Sequence, residues 1–428
     1  MVFFPEGAYG PTNNCVGIGS VLQSRGARVV FVIEESFKGT LAAKGFEEQL
    51  MRLKPKPTTE EAPGQFWKDF IRDTAPEFRK STLEQLETLI KPIWSELIDG
   101  SIYVNDRLEA IFQEVQPDVI VQDNVVAFPA VLTAGVPWVR IVSCNPLEVR
   151  DSALPPAFSG LPTEDSRDWD RFRRAYADAH AELHDAFGRF TRDKGCLPLP
   201  EGEFMYESPF LNLYNYPDEL DYRRSRPLNA TWQQLDSCVR TTDAPFELPT
   251  FDRGTGKLIY LSLGSLGSAD TELMGRLIDI LGRTDHRIIV SMGPQHQELR
   301  LHENMVGEEF LPQTSVLPLV DLVITHGGNN TVTECMYFGK PMIVLPLFWD
   351  QHDNAQRVDE TGFGVRLDPY RFHDEQLLGS IDRLSTDAEL AGRLTRVARR
   401  LQAAPGTMQA AERIESLMRS RLPIPAGS

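Results

Sequence analysis

Two short stretches hold the residues best suited to chemistry: Thr325-His326-Gly327-Gly328-Asn329-Asn330-Thr331, with Glu334 just beyond it, and Asp350-Gln351-His352-Asp353-Asn354. The first suits a diphosphate. The apolar run 320–324 has the character of a buried parallel strand, and the glycine turn after it opens a helix. Unpaired backbone N–H groups and the positive end of the dipole converge at such a helix start. Gly328, Asn330 and Thr331 can therefore hold a diphosphate, with His326 donating one further hydrogen bond at the mouth of the turn. Glu334 lies on the same helical face as Asn330, one turn deeper, where a carboxylate can accept bonds from a ribose diol. Gly339 ends the helix. A second buried run, 342–347, reads as the next parallel strand, which leaves Asp350 and Gln351 in the crevice beyond its carboxyl end, where open α/β sheets bind ligands. An adjacent carboxylate and amide suit the vicinal hydroxyls of a hexose, and Asn354 can support the turn or the phosphate end. Singly, His-Gly-Gly is a tight turn, Asp-Gln a surface turn and Glu334 a solvated acid. One strand–turn–helix–strand unit carrying all of them favours a nucleotide-sugar site.

These residues resemble the donor-binding signature of the family 1 UDP-glycosyltransferases. In that resemblance His326 matches the phosphate-binding histidine, Asn330 and Thr331 the phosphate-binding asparagine and hydroxyl residue, Glu334 the ribose-binding acid, and Asp350 and Gln351 the sugar-binding pair. Phe310-Leu311-Pro312-Gln313 stands where the family has a tryptophan two residues before Pro-Gln. Phe310 is thus expected to stack on uracil with a smaller face, and Gln313 to lie near the ribose. Leu258-Ile259-Tyr260-Leu261-Ser262-Leu263-Gly264-Ser265 matches the strand and phosphate-side turn that open the family's C-terminal domain, which makes Gly264 and Ser265 donor-site candidates. The likeness is dense from 258 to 367 and covers nearly the whole chain. It implies an α/β, GT-B fold: two Rossmann-like domains whose parallel sheets face a central cleft. The expected divisions are an acceptor-binding domain at 1–225, a linker at 226–256, a nucleotide-sugar domain at 257–405, and a segment at 406–428 returning to the first domain.

Composition agrees with this. A chain of 428 residues is too long for one typical core, and two domains of roughly 200 residues are the default. With 41% hydrophobic and 25% charged residues it is an ordinary globular protein. A net charge of −17 argues against nucleic acid and anionic lipid as partners. Cys15, Cys144, Cys196, Cys238 and Cys335 are scattered and never form Cys-x-x-Cys, so neither a zinc site nor a disulfide framework is expected. No apolar run reaches about 18 residues and no signal-like segment opens the chain, so no stable membrane insertion and a cytoplasmic location are expected. Oligomeric state has no signature in the sequence.

The N-terminal half begins with an expected strand at 1–4, a Gly/Pro/Asn loop, a helix at 15–24 and a strand at 27–33, the start of a βαβ sheet. Gly17-Ile18-Gly19 falls inside the helical pattern and no Gly-x-Gly-x-x-Gly exists, which disfavours a nicotinamide-dependent dehydrogenase. Short buried strands are expected at 119–121 and 136–142. The helical region 64–116 carries Phe66, Trp67, Phe70, Phe78 and Trp94, and the charged segment 164–193 follows later. Helical spacing favours core packing for these aromatics, but long insertions in a sheet domain also form ligand walls. In the family such helices shape the acceptor pocket, so Phe66, Trp67 and Phe70 are acceptor-wall candidates.

The sequence departs from the family near its start. Relatives carry a Gly-His-x-x-Pro-like motif whose histidine deprotonates the acceptor hydroxyl; counting back from Arg25-Gly26, that place falls on Pro11. The acid that orients the histidine is matched by Asp123, for which a helix N-cap is the alternative role. Three routes stay open: Asp123 takes the proton directly or through water; the acceptor is an acidic phenol that needs little help; or the base is another residue, such as Glu6 or His184. The resemblance implies an inverting transferase with no tightly bound cofactor and no metal requirement. It would move a hexose, glucose from UDP-glucose or a related UDP- or dTDP-hexose, onto a hydroxyl of a small lipophilic acceptor such as a phenolic, polyketide or macrocyclic antibiotic. The alternatives are a catalytically impaired nucleotide-sugar-binding protein, which Pro11 favours, and a GT-B epimerase.

Overall fold

The structure, a computed structural model, describes residues 1–55 and 73–420. Its first half contributes β1 (Val2–Pro5), α1 (Tyr9–Ser24), β2 (Val30–Glu34), β3 (Glu47–Met51), α2 (Lys91–Val115), β4 (Ile120–Asp123), β5 (Trp138–Val142), α3 (Trp169–Asp193), β6 (Leu211–Tyr214) and β7 (Trp232–Gln234). The second contributes β8 (Leu258–Ser262), α4 (Thr271–Gly282), β9 (Arg287–Ser291), β10 (Met305–Glu308), β11 (Leu322–Thr325), α5 (Asn329–Phe338), β12 (Met342–Val344), α6 (Gln351–Glu360), β13 (Gly364–Arg366), α7 (Asp374–Thr386), α8 (Ala388–Ala403) and α9 (Gly406–Ser420). The central strands β1, β4, β5, β8, β11 and β12 are buried along their whole length. Strands covered by helices on both faces need to be apolar throughout rather than alternating, and these largely are.

Two sheets result, in the orders β3-β2-β1-β4-β5-β6-β7 and β10-β9-β8-β11-β12-β13. Each sheet reverses its winding at one point, between β1 and β4 in the first and between β8 and β11 in the second. Chain segments leave such neighbouring strands toward opposite faces, so a crevice opens beyond their carboxyl ends. Register fixes what stands there. Pro5 pairs with Asp123 at the first switch point, and Ser262 with Thr325 at the second. Glu6 and Asp123 therefore line one crevice, and Gly264 and His326 the other, across the cleft.

Helix α1 begins at Tyr9, six residues before the expected start. Ala8 takes the extended N-cap conformation, which puts Pro11 in the first turn, where a backbone N–H has no intrahelical partner to lose. The Gly-Pro stretch that reads as loop is thus the opening turn of the helix. The segment expected to be plain linker supplies an edge strand, since β7 pairs with β6. Helix α9 packs on α1, burying Ala410, Ala411, Ile414 and Leu417 in the same cluster as Cys15, Ile18 and Leu22. Burial of Ile414 and Leu417 stabilises this docking by about 1.5–3 kcal/mol per side chain. Gly17 makes the approach possible: a β-carbon there would lie 3.1 Å from Thr407 Cγ2 and 3.3 Å from the Cys238 carbonyl. Phe66, Trp67 and Phe70 lie outside the described residues. Among the described residues, no helix is long and apolar enough to cross a membrane.

Candidate active site

The two crevices merge into a cavity of about 530 Å³. Gly264, Ser265, Phe310, Gln313, His326, Gly328, Asn330, Thr331, Glu334 and Asp350 all line it, as do Pro11 and Asp123 from the other side; Gln351 does not.

The anion side is built from backbone. Gly328 is the N-cap of α5, and Asn330 and Thr331 stand in its first turn. The imidazole of His326 is wedged between two glycines. A β-carbon on Gly264 would lie 2.5 Å from its Cε1, and one on Gly328 would lie 2.6 Å from its Nε2. Burial pushes this ring down to about 4, opposed by a hydrogen bond to the Ser262 backbone, so it is neutral at physiological pH. Asn330 bridges the cleft: its Oδ1 accepts from Asn14 Nδ2 at 3.0 Å, and its Nδ2 donates to the Gly10 carbonyl at 2.9 Å.

Deeper along α5, Glu334 is held by a network. Arg240 Nη1 donates to Glu334 Oε1 at 2.8 Å, and Gln313 Nε2 donates to Oε2 at 2.6 Å. Arg240 also pairs with Asp243 at 2.8 Å. Burial pushes the Glu334 carboxyl up, opposed by the charge of Arg240 and then by the Gln313 amide. Phe310 stands half-exposed at the mouth, its ring 6.1 Å from that of Tyr9 on α1.

Asp350 and Gln351 part company. Asp350 Oδ2 accepts from the Asn145 backbone N–H at 2.8 Å, across the cleft, and burial pushes its carboxyl up to about 7. The Gln351 side chain turns inward, its Oε1 accepting from the N–H groups of Leu347 at 3.0 Å and Phe348 at 3.2 Å. It thereby braces a turn in which Trp349 adopts φ 57°, a conformation costing a non-glycine residue about 1–3 kcal/mol. The turn holds the Trp349 ring in the cavity wall, 4.5 Å from Phe158 and 5.1 Å from Trp94. Asn354 donates to the Gly327 carbonyl at 2.9 Å, tying this turn to the anion cradle.

On the first-domain side, Asp123 is 3% exposed; its Oδ1 accepts from the Ser143 hydroxyl at 2.7 Å while Oδ2 has no partner. Burial pushes its carboxyl well above the usual range, the Ser143 hydroxyl opposing and Glu148 and Glu6 adding to the shift. Glu6 lines the cavity beside it. His184 bonds to the Pro200 carbonyl at 2.9 Å and does not line the cavity. Ile93, Leu97, Val125, Phe348 and Trp349 make the remaining wall apolar. Sequence reasoning missed Arg240, Tyr9, Asn14, Asn145 and Trp349. Only Asn13-Asn14, in a loop-like run next to the expected first strand, carries a signal that could have been followed.

Residues 212–409 match the family model described as "UDP-glucoronosyl and UDP-glucosyl transferase". The chain is 25% identical over 431 residues to NDP-glycosyltransferase YjiC of Bacillus subtilis (strain 168), covering 96% of this chain and 95% of that protein. Among solved structures it is similar to the glycotransferase of kitacinnamycin, with a TM-score of 0.71 at 19% identity over 97% of this chain and 98% of that one. It is also similar to glycosyltransferase VinC in complex with dTDP, with a TM-score of 0.63 at 16% identity over 98% and 99%. The fold is GT-B. The match over residues 212–409 and the likeness to YjiC support a family 1 glycosyltransferase.

Proposed function

We propose that this protein transfers a hexose, glucose from UDP-glucose, onto a hydroxyl of a small lipophilic acceptor such as a phenolic, polyketide or macrocyclic natural product, with inversion at the anomeric carbon. One observation carries the reading: a single cavity has a glycine-based anion cradle on one wall, buried carboxyls on the facing wall and apolar side chains closing the rest. The diphosphate would lie on the N-terminus of α5 with His326, the ribose against Glu334 and Gln313, the base on Phe310, and the hexose by Asp350. Gln351 acts from behind, by holding the turn that carries Asp350. Oriented N–H groups at a helix start stabilise the departing diphosphate, so the chemistry has no need of a metal ion. The first domain, 1–225, would hold the acceptor and 257–405 the donor, with 226–256 connecting them and 406–428 returning.

Pro11 supports a second reading, a nucleotide-sugar-binding protein without transfer activity. Incubation with UDP-glucose and with dTDP-glucose, against mixed phenolic, polyketide and macrocyclic acceptors and read by mass spectrometry, separates the two. A transferase yields both nucleoside diphosphate and an acceptor heavier by one hexose. Nucleotide binding without such a product supports the second reading, and a change in the donor's own sugar would mark an epimerase.

A further inference from the structure

We propose that Glu6 is the base that takes the proton from the acceptor hydroxyl, with the buried carboxyl of Asp123 beside it as a positioning partner. The inference rests on the transferase reading above. Glu6 is the first residue beyond β1, at the switch point of the first sheet, and its backbone N–H donates to the Asp123 carbonyl at 2.8 Å. The other carboxylates around this part of the cavity are engaged. Glu148 pairs with Arg140 at 2.6 Å, Asp350 accepts the Asn145 N–H, and Glu334 is held by Arg240 and Gln313. Asp123 also lines the cavity, but it is only 3% exposed and one of its oxygens accepts the Ser143 hydroxyl. Glu6 is half-buried and lines the cavity, and its carboxyl has no hydrogen-bond or ion-pair partner among the described residues. Pro11, on the same wall, has no group to offer. An unengaged carboxylate facing both an apolar pocket and an anion cradle is where a proton acceptor is needed.

The step balances. A lone pair of the acceptor oxygen forms the bond to the anomeric carbon while its proton passes to the Glu6 carboxylate. The anomeric carbon–oxygen bond to the diphosphate breaks, and that electron pair leaves on the nucleoside diphosphate. Burial and the charge of Glu148 push Glu6 up to about 7, which suits a base at neutral pH. The titratable and charged groups around it are Asp123, Cys144, Glu148 with Arg140, Tyr9, Glu34, Lys44 and, across the cleft, His326 and Asp350. Asp350 is also held at about 7, so a pH limb belongs to Glu6 only if the Glu6 variant removes it.

The experiment compares wild type, Glu6→Gln, Glu6→Asp and Asp123→Asn with UDP-glucose and two acceptors found by the screen above, one an acidic phenol and one an aliphatic alcohol. UDP affinity is measured by calorimetry on each variant. Glu6→Gln is expected to lower kcat/KM for the alcohol about 10²- to 10⁴-fold and for the phenol far less, to lose the rise of kcat/KM with pH through about 7, and to bind UDP as wild type does. Glu6→Asp should recover part of the loss. Alcohol transfer by Glu6→Gln within a few-fold of wild type, equal losses with both acceptors, or a retained pH limb would each overturn the assignment. A wild type that makes no glycoside in the screen removes the transferase reading itself, an outcome reached before any variant is compared.

Discussion

The wedge around His326 gives a test of the proposed donor cradle that removes none of its proposed ligand groups. Gly328 has φ −57° and ψ 138°, which alanine adopts without strain. Gly328→Ala therefore adds only a methyl group, and the atoms it meets belong to the His326 ring, with Nε2 at 2.6 Å. On its other side the ring meets Gly264, where a β-carbon would lie 2.5 Å from Cε1. It must rotate off its rotamer, at about 0.5–1.5 kcal/mol, and so leaves its place in the proposed cradle. A hydrogen bond to a charged group contributes about 1.5–3 kcal/mol, so UDP affinity should fall roughly 10- to 150-fold.

Calorimetry with UDP on Gly328→Ala, His326→Ala and the double variant reads this out. Once the ring is gone the methyl has nothing to displace, so the double variant should bind UDP no more weakly than His326→Ala alone. A double variant whose loss equals the product of the two singles would refute the wedge, because independent sites add and coupled ones do not. Wild-type affinity in Gly328→Ala would remove His326 from the donor site. With its pKa near 4 the ring stays neutral, so its contribution should not vary between pH 6 and 8.

Glu334→Ala should weaken UDP by a similar factor through the ribose. It should also lower the melting temperature, since Arg240 would keep Asp243 but lose its second partner; unchanged calorimetry would clear Glu334 of nucleotide binding. Gln351→Ala should impair transfer and lower the melting temperature together, because two buried N–H groups lose their acceptor under the strained Trp349 turn, while UDP binding stays near wild type. Loss of transfer with an unchanged melting curve would instead put the amide on the hexose. The Asp350 carboxyl, at about 7 when folded and near 3.9 when unfolded, keeps a proton that the unfolded chain has released between those values. Its contribution to stability therefore falls as pH rises through that window, by up to about 1.4 kcal/mol per unit. Asp350→Asn should flatten the melting-temperature profile there, and an unaltered profile would show that the carboxyl is ionised throughout.

What the sequence disclosed and what it hid follow a physical division. Much of the proposed donor wall comes from one contiguous strand–turn–helix unit whose demands are local: glycine where a side chain would strike His326, an asparagine in the first turn, an acid one turn deeper. Local demands leave a readable string, and Gly328, Asn330 and Glu334 stand where the string puts them around the cavity. The same logic explains Gln351. Its neighbour faces the cavity and it does not, because the strained turn at Trp349 rotates the next residues, and positive φ at a tryptophan has no sequence signature. Arg240 was hidden because its partner, Glu334, is far along the chain and the residues around it, 235–246, follow no strand or helix pattern.

The proposed acceptor wall is illegible for a further reason. Glu6, just beyond β1, and Asp123, at the end of β4, meet only because β4 pairs with β1 at the reversal of strand order. Nothing near Glu6 in the chain announces a carboxyl partner, and Pro11 reads as the loss of a base when only its own position is considered. Placed in the first turn of α1, beside a wall that already holds two carboxyls, the proline is instead compatible with a base delivered from the strand end rather than from the helix. A function lost at one position of a motif can thus reside on another element that the topology brings to the same crevice, and the alcohol-to-phenol ratio of the Glu6 variants measures whether it does.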